Sequence, residues 1–398
     1  MSGLAEARDI LGDLVAFPTV SADSNLAMIA YLAERLGEAG ARAEIQTDSS
    51  GAKANLFATL GPDAPGGIVL SGHTDVVPVA DQDWGSDPFA LTERDGRLYG
   101  RGSCDMKGFV AAALVAAKGY AARPLARPVH FAFTYDEEVG CLGARQLMGL
   151  IEAMPQRPAM AIIGEPTGMR VIEGHKGCYE YTTRFTGLEG HGSAPDRGVS
   201  AVDYAVRYVA RLLDLREEMK TRAPPASRFD PPWTTMNVGR LSGGVAHNVI
   251  AGRAEVDWEL RPVQPADARH VKSSLGAYCD EVLLPAMRAV APEAAIETEV
   301  IGRIAGLEPM PRNAARDLLA ELTGANAAEL VPFGTEAGLF QACGIDVAVC
   351  GPGSIAQAHK PDEYLALDQL ALCLDMLARL GDRLQAPDRP RRAPGPRP

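Results

Sequence analysis

Four apolar runs of this chain, each reading as a buried strand, end in side chains that could hold a cation. His73 and Asp75 follow Ile68 to Ser71, Asp136-Glu137-Glu138 follow Val129 to Tyr135, Glu165 follows Ala159 to Ile163, and His359 comes after Asp346 to Cys350. Imidazole nitrogens and carboxylate oxygens are the donors that zinc-type divalent ions take. Side chains so far apart in sequence can meet only if the fold aligns the carboxyl ends of parallel strands, where ligands of open α/β sheets collect. The pattern predicts a metal centre built by the fold.

Each motif has a plainer alternative. With a period of two, His73 and Asp75 share one face of their strand, and a carboxylate beside a metal-bound histidine fixes its tautomer and raises its basicity; a lone His-x-Asp is equally a hydrogen-bonded strand end. Asp105 lies in Gly100-Arg-Gly-Ser-Cys-Asp-Met-Lys-Gly108, a glycine-punctuated loop opening a helix. Its carboxylate could bridge two cations or cap that helix. In an extended segment Glu137 and Glu138 point opposite ways, so one can ligate while the other addresses a water; a solvated acidic turn is the alternative. Pro166 stops the strand after Glu165. Gly351, Pro352 and Gly353 end the last strand and put His359 on a loop, where catalytic residues are often presented, as a surface histidine would be. Five such O/N donors together point to a zinc-type dinuclear site.

The elements that must carry them follow from periodicity. Helices are expected over Leu4 to Val15, Leu26 to Ala39 and Gly108 to Tyr120, and strands over Ala43 to Gln46, Asn55 to Leu60 and the apolar runs above. Their alternation predicts an α/β fold, a mixed and mostly parallel sheet covered by helices. After Lys176 the pattern changes: strand Cys178 to Thr186, helix Ser200 to Glu218, strands Thr234 to Gly239 and Val249 to Leu260, helix Ala266 to Ala289, strand Ile296 to Val300. That βαββαβ order is the ferredoxin-like split unit. It predicts a domain at 177–302 inserted between catalytic segments 1–176 and 303–386, with Arg316 to Leu322 and Asp346 to Cys350 returning to the first sheet. The last twelve residues, 387–398, carry five prolines and four arginines and predict a disordered tail.

Composition narrows the function. A length of 398 residues suggests two domains, and 46% hydrophobic with 23% charged residues is ordinary for a globular protein. A formal charge of −12 argues against nucleic acid or an anionic membrane as the main partner. Seven cysteines without regular spacing do not form a disulfide framework and fit a reducing cytoplasm. Glu6, Arg8, Asp9 and Asp13 interrupt the N-terminal apolar residues, so neither a signal peptide nor a membrane span reads there.

The chain resembles the zinc-dependent amidohydrolase family that includes acetylornithine deacetylase, succinyl-diaminopimelate desuccinylase, aminoacylase and glutamate carboxypeptidase. The resemblance spans residues 8 to 380 and is carried, in order, by Ser71-Gly-His-Thr-Asp-Val-Val-Pro78, the Gly100 to Gly108 loop, Thr134-Tyr-Asp-Glu-Glu-Val-Gly140, Gly164-Glu-Pro-Thr167 and Gly190-His-Gly-Ser-Ala-Pro195. It implies a zinc-peptidase-like catalytic domain with an inserted lid and dimerisation domain. One metal would be held by His73, Asp105 and Glu165 and the other by Asp105, Glu138 and His359; the ions would be zinc, with cobalt as an alternative. Asp75 would orient His73, and Glu137 would act as general base and then acid. His191 resembles the family residue that hydrogen-bonds the oxyanion, often across a homodimer interface. Arg261 resembles the arginine that clamps the substrate α-carboxylate, assisted by Asn248. The block Phe333-Gly-Thr-Glu-Ala-Gly338 with Gly351 to Tyr364 is most similar to acetylornithine deacetylase, which makes Glu336 a candidate for a cationic side-chain amine. The expected reaction is hydrolysis of N2-acetyl-L-ornithine to L-ornithine and acetate in arginine biosynthesis. The alternatives are another N-acyl amino acid hydrolase, of aminoacylase or desuccinylase type, and a non-catalytic binding protein on the same scaffold.

Overall fold

The runs that end in candidate ligands form adjacent strands of one sheet in the computed structural model, which describes residues 2–385. Six of the eight strands of this sheet are, in order, Arg42–Thr47, Ala54–Leu60, Val129–Thr134, Ile68–His73, Met160–Pro166 and Asp346–Gly351. The first two strands join antiparallel and the last four run parallel. Every residue of Ile68–His73, Val129–Thr134 and Met160–Pro166 is buried, as expected of strands covered on both faces. Register does the positioning: His73 lies opposite Thr134, Ser71 opposite Ile163, and Gly351 opposite Pro166, so the carboxyl ends align.

Close approach is needed at that end. A methyl group on Gly164 would lie 2.0 Å from Phe109, and one on Gly351 would lie 1.9 Å from the Gly164 carbonyl oxygen. Phe109 belongs to the apolar helix Gly108–Ala121, which packs against Ser2–Val15 and Leu367–Leu384. The Tyr120 hydroxyl donates to the Leu377 carbonyl at 2.7 Å and pins two of these helices. A small sheet of Thr92–Arg94, Arg97–Tyr99 and Tyr364–Ala366 completes this part.

Glu173–Met310 with Leu330–Gly338 make one compact unit, and the remaining described residues make the other. Sequence periodicity puts the divisions at 176/177 and 302/303 instead. Within the smaller unit an antiparallel sheet runs Thr235–Gly243, Arg253–Arg261, Cys178–Thr186, Ala295–Ile304, with helices Ala201–Thr221 and Pro265–Tyr278. Numbering these strands by chain order gives 2-3-1-4, the ferredoxin-like arrangement.

Two elements differ from the periodicity. The run Val249 to Leu260 is two strands, because Val249–Ile250 pairs with Gly190–His191 while Arg253–Arg261 enters the larger sheet. The helix expected through Ala289 passes through a π turn at Cys279–Leu283 before Leu284–Arg288; Pro285 has no N–H to continue the regular ladder. The tail 387–398 lies outside the described residues.

His130 sits in the apolar body of its strand, stacked 5.2 Å from Phe57, with Nδ1 2.9 Å from the Thr59 hydroxyl. Burial pulls its imidazole down to about 4 from 6.5. Between those values the unfolded chain binds the extra proton, so this group lowers stability as pH falls from 6.5 to 4, by roughly 2–3 kcal/mol at the acid end. Denaturant midpoints at pH 7 and pH 5 should differ less in His130→Gln than in the parent chain. Equal differences would show that another group carries the slope.

Candidate metal centre

The aligned strand ends bring His73, Asp105, Glu137, Glu138, Glu165 and His359 together within one compact unit. His73 Nε2 is 3.1 Å from Asp105 Oδ1 and 4.0 Å from Glu165 Oε1. His359 Nε2 is 3.0 Å from Glu138 Oε2 and 3.4 Å from Asp105 Oδ2. Potential ligand atoms of His73, Asp105 and Glu138, and again of His73, Glu137 and Glu165, lie within 4.8 Å of one another. Asp105 therefore stands between the two histidines.

Several sequence alternatives fall away on this geometry. Asp105 does not cap a helix; it sits in a distorted turn, Ser103–Lys107, with φ −120° and ψ 92°, and its carboxylate faces the histidines. Glu137 and Glu138 are not in an extended segment. The strand ends at Thr134, Asp136 has φ +53°, and the turn that follows sends both glutamates inward. His359 is half exposed yet makes two carboxylate contacts, so it is more than a surface histidine.

Asp75 touches both His73 and the turn that carries Glu137 and Glu138. His73 Nδ1 lies 2.9 Å from the Asp75 backbone carbonyl but 3.6 Å from its carboxylate. That carboxylate accepts from the N–H groups of Glu137 and Glu138 at 3.0 and 3.3 Å and from the Ser21 hydroxyl at 2.7 Å. Lys53 Nζ adds a second tether, 2.6 Å from both oxygens of Asp136. Sequence reading missed Ser21 and Lys53, whose surroundings carry no motif. It also passed over Arg101 and Glu363, which lie inside quoted motifs and pair at 2.8 Å in the interior.

The electrostatics ask for positive charge. Burial pushes the Glu137 and Glu165 carboxyls well above their ordinary range and Glu138 above it, and neighbouring carboxylates add to each. Burial acts on Asp105 in the same sense, but His359 and His73 outweigh it and hold that group low. Asp105 and Glu138 raise His359 to about 10. Burial opposes protonation of His73, yet Asp105, Asp75 and Glu165 lift it well above 6.5. Among the described residues no lysine or arginine ion pair reaches Asp105, Glu137, Glu138 or Glu165. Four buried carboxylates whose only ion-pair partners are imidazoles fit a site for divalent cations, and the O/N donor set suits zinc, cobalt or manganese.

The remaining candidates lie in the smaller unit. His191 and Asn248 are exposed neighbours on a two-stranded arm, where His191 pairs with Val249 and the Gly192 N–H donates to the Asn248 carbonyl at 2.8 Å. His191 Nδ1 is 2.7 Å from the Ser193 hydroxyl. Arg261 is not an open fork: Nε and Nη2 contact Glu259 at 3.2 and 3.0 Å. Glu336 is buried beside Thr335, whose hydroxyl is 2.9 Å from His175 Nε2.

Residues 69–383 match Peptidase family M20/M25/M40. An acetylornithine deacetylase of Photorhabdus laumondii is 36% identical over 381 residues, 94% of this chain and 96% of that protein. Among solved structures, an M20 family metallo-carboxypeptidase of Sulfolobus solfataricus superposes with a TM-score of 0.74 at 17% identity, covering 96% of this chain and 99% of that one. A dinuclear metal-binding peptidase of Bacillus subtilis gives 0.64 at 15% identity, covering 96% and 99%. The fold and the strand-end cluster define a metal-dependent amidohydrolase. This chain belongs to Peptidase family M20/M25/M40.

Asp75→Asn replaces an acceptor for three donors with a group that can serve only some of them. Unfolding free energy should fall by roughly 1–3 kcal/mol, and turnover should drop as the Glu137-Glu138 turn loosens. Unchanged melting and turnover in the variant would show that the turn holds without Asp75.

Proposed function

We propose that the chain hydrolyses the amide bond of an N-acyl amino acid using two divalent cations, and that its substrate is N2-acetyl-L-ornithine. The observation that carries this reading is the strand-end cluster of His73, Asp105, Glu138, Glu165 and His359 with Glu137 beside it. The 36% identity to an acetylornithine deacetylase supports the choice of acyl amino acid. His73, Asp105 and Glu165 would hold one ion, and Asp105, Glu138 and His359 the other. The contacts radiating from each histidine support that partition. Zinc is the first choice of ion, with cobalt accepted by the same donors.

When bound, a pair of divalent cations polarises an amide carbonyl and makes water more acidic. Glu137 accepts the proton of the attacking water at its carboxylate and returns it to the departing nitrogen, because an amine leaves readily only when protonated. Asp75 holds the Glu137 main chain while this happens. His191 donates to the oxyanion, and its exposed arm suits delivery to another protomer's site in a homodimer. Arg261 binds the substrate α-carboxylate by exchanging it for Glu259, Asn248 assists, and Glu336 meets the ornithine amine. Free cysteines at all seven positions are compatible with a cytoplasmic setting, and no helix among the described residues is long and apolar enough to cross a membrane.

Purified protein should hydrolyse N-acetylornithine in preference to N-succinyl-diaminopimelate and N-acetylmethionine. Glu137→Ala should retain its metal while losing roughly 10²–10⁴-fold in turnover. Preference for another acyl amino acid would keep the mechanism and discard the substrate. No turnover of any acyl amino acid by metal-loaded protein would favour a binding role.

A further inference from the structure

Asp105 and His359 come from distant segments of one compact unit, and a largely interior network ties their loops together. Arg101 and Glu363 are each 1% exposed and pair at 2.8 Å. Glu363 Oε1 accepts from the N–H groups of Cys104 and Asp105 at 2.8 and 3.0 Å, and Oε2 accepts from Gly102 at 3.0 Å. Arg101 Nη2 donates to Gln82 Oε1 at 2.6 Å, and the Gln82 amide donates onward to the His359 carbonyl at 3.0 Å. Arg101 Nη1 also reaches the Lys360 carbonyl at 3.3 Å. The guanidinium lies 5.0 Å from the centre of the Trp84 ring. Apart from the Trp84 indole N–H, which donates to Gln82 Oε1 at 3.2 Å, the hydrogen bonds of Gln82, Arg101 and Glu363 go to main chain or to one another, and none goes to the six side chains of the metal centre.

The two histidines differ in their support. His73 ends a fully buried strand, with Nδ1 held by a backbone carbonyl. His359 sits on a loop at φ +63° with its side chain half exposed, a left-handed conformation that a non-glycine residue holds only where neighbours fix it. The Gln82 amide is one such neighbour. A buried Arg–Glu pair tolerates little displacement, since misalignment leaves a charge without its partner.

We propose that Gln82, Arg101 and Glu363 are positioning residues that set the separation of the Asp105 carboxylate and the His359 imidazole, and thereby govern uptake of one cation of the pair. That cation is the one assigned to Asp105, Glu138 and His359, so the inference rests on the dinuclear reading above. The other position leans on His73 and Glu165, which their own strands hold.

The test uses the full chain, stripped by chelation and titrated with cobalt(II), followed by calorimetry and by cobalt absorbance. The parent chain should take up two ions in resolvable steps. Gln82→Ala should weaken one step by roughly 10-fold, within the range seen for outer partners of metal ligands, and should leave the other step and the metal-free melting midpoint unchanged. His359→Ala should abolish that same step, which identifies it. Glu363→Gln should weaken it too, with lower melting. Unchanged affinities in Gln82→Ala, or equal weakening of both steps, would overturn the proposal. Uptake of a single ion by the parent chain would instead overturn the dinuclear reading, whatever Gln82 does.

Discussion

Four carboxylates share one buried pocket here without a lysine or arginine ion pair among the described residues, and the rest of the structure is organised around that excess of negative charge. Isolated, each ionised group would cost several kcal/mol to bury. Burial raises Glu137, Glu138 and Glu165, and the neighbouring imidazoles relieve part of the repulsion. A divalent ion repays the desolvation that two histidines leave outstanding. It also gives the cluster a reason to sit at the carboxyl ends of parallel strands, where loops can converge without any one strand carrying the whole charge.

Convergence needs more than register. Two further carboxylates, Asp75 and Glu363, turn their acceptor oxygens towards main chain rather than towards substrate space. Asp75 gathers the N–H groups of Glu137 and Glu138, and Glu363 gathers those of Gly102, Cys104 and Asp105. The side chains that face the pocket are thus held by their own backbone, which leaves their oxygens open to cations. Gly164 and Gly351 serve the same end sterically, since a side chain on Gly164 would strike Phe109 of the covering helix and one on Gly351 would strike the strand that delivers Glu165. Catalytic competence on this view is a property of strand register plus a few backbone-directed carboxylates, with the five donors as the visible result.

The strands and most candidate ligands were legible because apolar runs end abruptly in His, Asp or Glu. The strand order, with Val129–Thr134 between Ala54–Leu60 and Ile68–His73, was not, since periodicity carries no information on neighbours. The resemblance supplied the grouping of His73, Asp105, Glu138, Glu165 and His359, which spacing alone left open. Helices Leu142–Ala153 and Leu367–Leu384 went unread despite buried stripes such as Leu370, Cys373, Leu377 and Leu380. The π turn at Cys279–Leu283 and the break at Ala251-Gly252 are local responses to a proline and to pairing with a distant arm, invisible to a periodic pattern. The turn that points both Glu137 and Glu138 inward depends on a left-handed aspartate and on Lys53, and no local signal announces either. Asp75 shows the limit most clearly: its spacing suggested a partner for His73 but gave no sign that its carboxylate also accepts from the N–H groups of the Glu137-Glu138 turn.

On the proposed reading, this pocket would hold two cations that share Asp105. Anomalous diffraction at the zinc edge, from crystals grown with zinc, tests it most directly. Two peaks should flank the Asp105 carboxylate, one beside His73 and Glu165 and the other beside Glu138 and His359. A single peak, or none among these residues in zinc-saturated crystals, would contradict it.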